Sequence, residues 1–311
     1  MVYLGGLGRS GSTLLERLLG ELPGVCSVGE VVHLWQRGIV GNERCGCGAQ
    51  FADCVFWGRV GQEAFGGWDR VDVSRVAHLN AEVDRTRHIP RLAAPAPGLA
   101  RRSDLQEYTS YYQRVYTGIM AASGCRALVD SSKHASLGFC LRWRQDIDLR
   151  VVHVVRDSRA VAHSWTKQVS RPDAAAESFM TQYSPAVAAG QWNAQNGAVE
   201  LLGRLGTPTL RVRYEDLTSA PAATLDEIAA FAGLDASPGG SPVIGQDAGG
   251  RWAELGAAHT VSGNPMRFTT GRVPIRRDER WRTAMPARQR RTVTALTLPL
   301  LARYGYVGRP A

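Results

Sequence analysis

The chain has 311 residues, 44% hydrophobic and 21% charged, with a formal net charge of +9. These proportions predict a globular α/β protein with a real core. No run of 18 uncharged apolar residues occurs, so no transmembrane helix is expected. The opening MVYLGGLGRSGSTLLERLL lacks a basic leader, and Arg9, Glu16 and Arg17 interrupt its apolar run, so a cytoplasmic protein without a signal peptide is expected. Helix-turn-helix, zinc-finger and RNP patterns do not stand out, and a small polyanionic ligand explains the charge more simply than nucleic acid. Almost all of that charge is arginine. Lysine occurs only at Lys133 and Lys167, which, with the abundant Ala and Gly, suggests a GC-rich bacterial genome.

Residues 2–7 form a short apolar run that predicts a buried strand. A glycine loop follows, and then TLLERLLGEL, whose leucines share one helix face up to Pro23-Gly24. Residues 25–35 predict a second short strand with a turn at Gly29. The Gly-, Cys- and Trp-rich stretch 36–70 reads as irregular. Residues 72–122 read as mainly helical, broken at PAPG (95–98). Strands are expected at 127–130, 150–155 and 209–214, and helices opening with RDSRAVAHSW (156–165), over 174–204, over 221–234 and over about 286–303. Loops are expected at 236–250 and 259–282. Strands alternating with helices predict a parallel sheet covered on both faces. No fixed-period repeat or low-complexity linker divides the chain.

Gly8-Arg9-Ser10-Gly11-Ser12-Thr13 lies between the first strand and first helix. Unpaired N–H groups at a helix start attract an anion, and glycines let the backbone approach it. Arg9 can grip a phosphate or sulfate with two parallel hydrogen bonds. The loop ends in Gly-Ser-Thr, so it departs from the Gly-Lys-Ser/Thr of a nucleotide-hydrolase loop. The bland alternative is a glycine turn with a serine cap. A second anion site is expected after the strand at 150–155, where Arg156 and Ser164 lie about two helical turns apart. The alternative there is a surface ion pair and a solvated serine.

Together these segments resemble the sulfotransferases that use 3′-phosphoadenosine 5′-phosphosulfate (PAPS), in particular bacterial members related to the tyrosylprotein enzymes. GRSGSTLL resembles the 5′-phosphosulfate loop, with Gly8 where proline is usual and Ser12 where threonine is usual. VVRDSRAVAHSW resembles the 3′-phosphate segment. ValGlyGlu at 28–30, AspSerSerLys at 130–133, ArgTyrGluAsp at 213–216, HTVSGNPMRF and Trp281-Arg282 follow in the family's order. The resemblance implies a P-loop-like α/β fold in a single domain over 1–311; residues 36–125, which it leaves largely unmatched, are expected to form an irregular and helical insertion on the acceptor side. It implies PAPS as donor, adenosine 3′,5′-bisphosphate (PAP) as product and a small hydroxyl compound as acceptor. Sugars, phenols, lipids and antibiotic-like metabolites are all open as acceptors, and the codon bias alone points to a bacterial metabolite.

The residues implied for the cofactor are Gly8, Arg9, Ser10, Gly11, Ser12, Thr13, Leu14, Arg156, Ser164, Tyr214, Ser262, Asn264, Arg267 and Arg272. Those implied for catalysis are Glu30 as base, with His33 as rival, and Lys133 and Arg9 on the developing charge. Val31 stands where tyrosylprotein enzymes carry the second of two glutamates, which leaves Glu30 alone. A carboxyl in a closed pocket would be raised toward neutrality, as a base requires. Sulfuryl transfer needs no metal where Lys and Arg supply the charge, so no metal is expected in the catalytic site.

Two rival functions keep part of the pattern. A P-loop kinase or nucleotide hydrolase explains the first loop, and a non-enzymatic anion- or nucleic-acid-binding protein explains the net charge. Cys45, Cys47 and Cys54 form the sole cysteine cluster. They read as free thiols or one local disulfide, or as three zinc ligands with Cys26 or a histidine as the fourth.

Overall fold

Short β-branched runs build the centre of the molecule. The computed structural model describes residues 1–94, 99–173, 178–234 and 244–307. Strand β1 (Val2–Gly5) leads to helix α1 (Ser12–Gly20) and β2 (Val25–Ser27). Then come a 3₁₀ turn (Val31–His33), a wide helical turn (Leu34–Val40), and helices α2 (Val55–Phe65), α3 (Val73–Val83), α4 (Ile89–Leu92) and α5 (Leu99–Ser123). Strand β3 (Ala127–Lys133) precedes α6 (Ala135–Leu141). Strand β4 (Arg150–Val155) precedes α7 (Ser158–Trp165) and α8 (Pro185–Arg204), and β5 (Thr209–Arg213) precedes α9 (Tyr214–Ser219) and α10 (Pro221–Ala232). The last part holds β6 (Ile244–Asp247), β7 (Gly250–Leu255), β8 (Gly271–Pro274), α11 (Trp281–Ala284) and α12 (Ala287–Arg303).

Five strands form a wholly parallel sheet in the order β2-β3-β1-β4-β5. Side chains alternate across it as the strand period requires. Tyr3, Leu128 and Val151 face a core built with α2, α3, α5, α6 and α8. Val2, Leu4, Val129, Val152, Val154 and Val212 face the leucines of α1 and the apolar side of α10. With both faces covered, the central strands are mostly apolar, and β3 turns polar only at its carboxyl end, from Asp130 to Lys133.

Register sets the site. Gly5, the last residue of β1, lies beside Lys133 on one side and His153 on the other. The loops after β1, β3 and β4 therefore leave the sheet at one edge. This carboxyl edge is where open parallel sheets bind ligands.

Several expectations differ from the structure. The stretch 36–70 contains α2, whose Trp57, Val60, Ala64 and Phe65 are buried against α5. The segment before Pro185 is not helical from 178 onward, since α8 starts at that proline with Ser184 as its cap. Tyr214 opens α9 instead of closing a strand. The tail carries a second, antiparallel sheet, β6-β7-β8, where only loops are expected. PAPG (95–98) and most of the loop expected at 236–250 lie outside the described residues.

Candidate active site

The glycine loop after β1 turns tightly into α1. Arg9 and Gly11 both have left-handed backbones, with φ of 72° and 88°. At Gly11 a Cβ would stand 2.5 Å from the Tyr214 ring, so only glycine lets α1 begin against that ring. Arg9 adopts the same region without glycine's freedom, and so does Lys133 with φ 67°. Non-glycine residues held there concentrate at functional sites.

A cavity of about 840 Å³ opens at the carboxyl edge of the sheet. Such a volume lies at the upper end of small-molecule sites, about 300–1,000 Å³. Gly8, Arg9, Gly11, Ser12, Thr13 and Leu14 line it from the first loop. Glu30, His33 and Lys133 line it from the β2 and β3 side, and Arg156, Ser164 and Tyr214 from the β4 and β5 side. Seven cationic side chains reach it (Arg9, Arg37, Lys133, Arg156, Arg171, Arg276 and Arg280) against the carboxylates of Glu30 and Asp278. That imbalance suits an anionic ligand.

The two anion turns adjoin. Arg156 Nη1 donates to the Arg9 carbonyl at 3.2 Å, and its guanidinium lies 4.3 Å from the Tyr214 ring centre. Asp278 holds the other end of Arg156, through its carbonyl at 2.7 Å and its carboxylate at 3.7 Å. Several polar atoms around these turns are buried without partners, among them Arg9 Nε, Ser10 Oγ and Arg156 Nε. Trp165 shapes the floor, with its indole N–H donating to the Gly8 carbonyl and its ring 5.2 Å from the Arg9 guanidinium.

Glu30 sits on a turn whose backbone is fixed residue by residue. Gly29 N–H donates to Glu16 Oε1, Glu30 N–H to the Ser262 carbonyl, Val31 N–H to Asp130 and Val32 N–H to Ser132 Oγ. Gly29 has φ 79°, and a Cβ there would meet the Ser262 carbonyl at 2.7 Å. So anchored, Glu30 accepts from Lys133 Nζ at 2.6 Å and stands 3.4 Å from His33 Nε2. Lys133 also donates to the Ser131 carbonyl at 2.7 Å. Burial alone would raise the Glu30 carboxyl, but the Lys133 ammonium and the His33 imidazole overrule it and hold it well below the ordinary carboxylate range. A closed pocket by itself predicts the opposite direction; the ion pair reverses the sign.

The sequence places too many tail residues at the ligand. Ser262 is buried, takes a hydrogen bond from Arg37 and does not line the cavity. Arg267 is also buried and away from the cavity, bonded to the carbonyls of Arg44 and Thr260 and paired with Asp173. Arg272 points outward, paired with Asp247 and stacked on Trp252. Asn264 does reach the cavity, and from the same basic stretch so do Arg276 and Arg280. Ser10 is buried and does not line the cavity either.

Two residues of α1 escape the motif reading. Glu16 is buried and accepts from Ser131 and Gly29, and burial still pushes its carboxyl up to about 7. Arg17 ties α1 to the tail through the carbonyls of Gly256, Arg267 and Thr269. Their signal in the sequence is a charged pair inside an apolar helix face.

A profile of the sulfotransferase family matches residues 63–238, more than half of the chain. The chain belongs to the sulfotransferase family. The matched stretch of this sulfotransferase contains Lys133, Arg156, Ser164 and Tyr214, and the glycine loop lies N-terminal to it. Among solved structures, a sulfotransferase domain from the curacin biosynthetic pathway is similar at 15% identity and a TM-score of 0.48, over 95% of this chain and 96% of that one. Sulfotransferase STF1 of Mycobacterium tuberculosis H37Rv is similar at 17% identity and 0.40, over 76% and 68%. STF9 of Mycobacterium avium is similar at 14% and 0.38, over 75% and 64%. These likenesses transfer no residue roles. No curated protein sequence matches the chain.

Proposed function

We propose that this sulfotransferase moves a sulfuryl group from PAPS to a hydroxyl of a small acceptor. The carrying observation is the pair of adjoining cationic turns, Arg9 with α1 and Arg156 with Ser164, on one cavity. A nucleotide with anions at both ends fits that layout, and Arg9 and Arg156, each with an unpartnered buried Nε, line the cavity that would hold it. Bound PAPS would supply the activated sulfuryl group and a phosphate leaving group. Gly8, Gly11, Ser12, Thr13 and Leu14 would hold its 5′ end, and Arg156, Ser164 and Tyr214 its 3′-phosphate side. Asn264, Arg276 and Arg280 complete the wall.

The chain's own groups then divide the work. Arg9 and Lys133 stabilise charge that builds as transfer proceeds, the task that dominates such displacements. Glu30 takes the proton of the acceptor hydroxyl. Its low proton affinity depends on Lys133, so drawing the ammonium away raises the carboxylate's basicity when a base is needed. His33, in contact with Glu30, is the second candidate for that proton.

We also place residues 1–311 in one domain and read 36–125 as the acceptor-side wall, since Arg37 and Thr86 of that stretch reach the cavity. The kinase and non-enzymatic readings leave the Glu30–Lys133 pair without a task. Incubation with sulfur-labelled PAPS and a panel of sugar, phenol and alcohol acceptors should yield a labelled ester without added divalent metal. Label transfer that requires ATP and magnesium, or none with any acceptor while ATP is consumed, would replace this reading.

A further inference from the structure

The cysteine cluster lies outside the cavity and the proposed chemistry does not use it. Cys45, Cys47 and Cys54 meet His259, and the four ligand atoms lie within 4.8 Å of one another. Cys54 Sγ is 3.7 Å from both Cys45 Sγ and Cys47 Sγ. His259 Nδ1 is 3.3 Å from Cys54 Sγ and 3.8 Å from Cys45 Sγ. For tetrahedral zinc, Zn–S of about 2.3 Å and Zn–N of about 2.0–2.1 Å require S···S near ~3.7 Å and S···N near ~3.5 Å. A disulfide requires sulfurs about 2.05 Å apart. The spacing therefore fits four ligands around one ion.

The surroundings hold the ligands in place. His259 stacks on Phe56 with ring centres 4.8 Å apart, and its carbonyl accepts from the Trp57 indole. Gly46 packs so closely on Ala258 and Thr260 that a Cβ would stand 2.5 Å from the Ala258 carbonyl. Cys45 N–H donates to the Ala49 carbonyl and Gly48 N–H to that of Cys45, closing a knuckle between the first two thiols. Arg267 bonds the carbonyls of Arg44 and Thr260, each the neighbour of a ligand, which brings positive charge to an anionic cluster. Cys26 is elsewhere, on β2 beside Cys125.

We propose that Cys45, Cys47, Cys54 and His259 bind one structural zinc ion. On binding, the three thiols release three protons to solvent, three Zn–S bonds and one Zn–N bond form, and no electrons are exchanged. With four protein ligands the site is closed to substrate. It staples the 45–54 loop to the segment that runs on through Ser262, which holds Glu30 N–H, to Asn264 at the cavity.

The test is metal analysis of the full-length protein, produced in zinc-supplemented medium and purified reduced without chelator. One zinc per chain is expected, released when a mercurial reagent titrates the thiols. Cobalt exchanged into the site should give tetrahedral d–d bands and a thiolate charge-transfer band. His259→Ala should lose at least half of the zinc, and Cys26→Ser should keep it. A metal-free wild-type chain that takes up neither ion, or peptide mapping of a disulfide between two of Cys45, Cys47 and Cys54, would overturn the proposal. These readouts do not involve sulfuryl transfer, so they stand apart from the assigned activity.

Discussion

Replacing Lys133 with alanine removes two short hydrogen bonds, 2.6 Å to Glu30 and 2.7 Å to the Ser131 carbonyl, and the one ammonium at the mouth of β3. Loss of a preorganised donor at a developing charge costs about 10²–10³-fold in turnover, or about 3–4 kcal/mol. The bisphosphate product lacks the sulfuryl group, so its affinity should barely change. Lys133→Arg should not restore turnover, because a planar fork does not replace a compact ammonium. The pH profile gives a second readout. Without Lys133, burial of Glu30 is opposed by His33 alone and its carboxyl moves up, so the acid limb of the residual activity should shift to higher pH. The assay is label transfer from PAPS across pH, with calorimetric titration of PAP and a thermal melt to confirm folding. Unchanged turnover, or parallel loss of PAP affinity and turnover, would refute this role.

Other variants probe the remaining parts. Gly11→Ala forces a Cβ against Tyr214 at a left-handed backbone position and should weaken PAP binding at least about tenfold, read by calorimetry. Arg156→Ala should cut affinity for PAP far more than affinity for 5′-AMP, whereas Arg272→Ala, on the outer face, should change neither. Glu16 has its carboxyl raised from 4.5 to about 7. Its contribution to stability is full below about 4.5 and is lost as pH rises through about 7, roughly 3 kcal/mol in all. Glu16→Gln should therefore flatten the fall in thermal midpoint between about pH 5 and about pH 8; parallel curves for the two proteins would contradict the assignment.

The parallel sheet was legible because buried strands are nearly continuous apolar runs, as in RVVHVV and VYLGGL, each followed by a loop and an amphipathic helix. The antiparallel sheet was not, because β6, β7 and β8 are short and glycine-containing, and are set among exposed residues. Helix α2 was hidden by two glycines and by the cysteine-rich loop before it. That Arg9, Lys133 and Arg156 lie at or after strand ends was readable from local spacing, and all three line the cavity. The tail was not. A run of arginines reveals charge, but the register of β8 decides that Arg272 faces Trp252 while Arg276, beyond the strand, reaches the cavity. His259 lies 205 residues from Cys54, so only the fold brings it to the thiols.

Calorimetric titration of adenosine 3′,5′-bisphosphate against 5′-AMP and 3′-AMP, without divalent metal, bears most directly on the proposal that the cavity grips one nucleotide by both anionic ends. The bisphosphate should bind at least about 100-fold more tightly than either monophosphate, a difference near 2.7 kcal/mol. Equal affinities for the three, or binding only with magnesium, would contradict it.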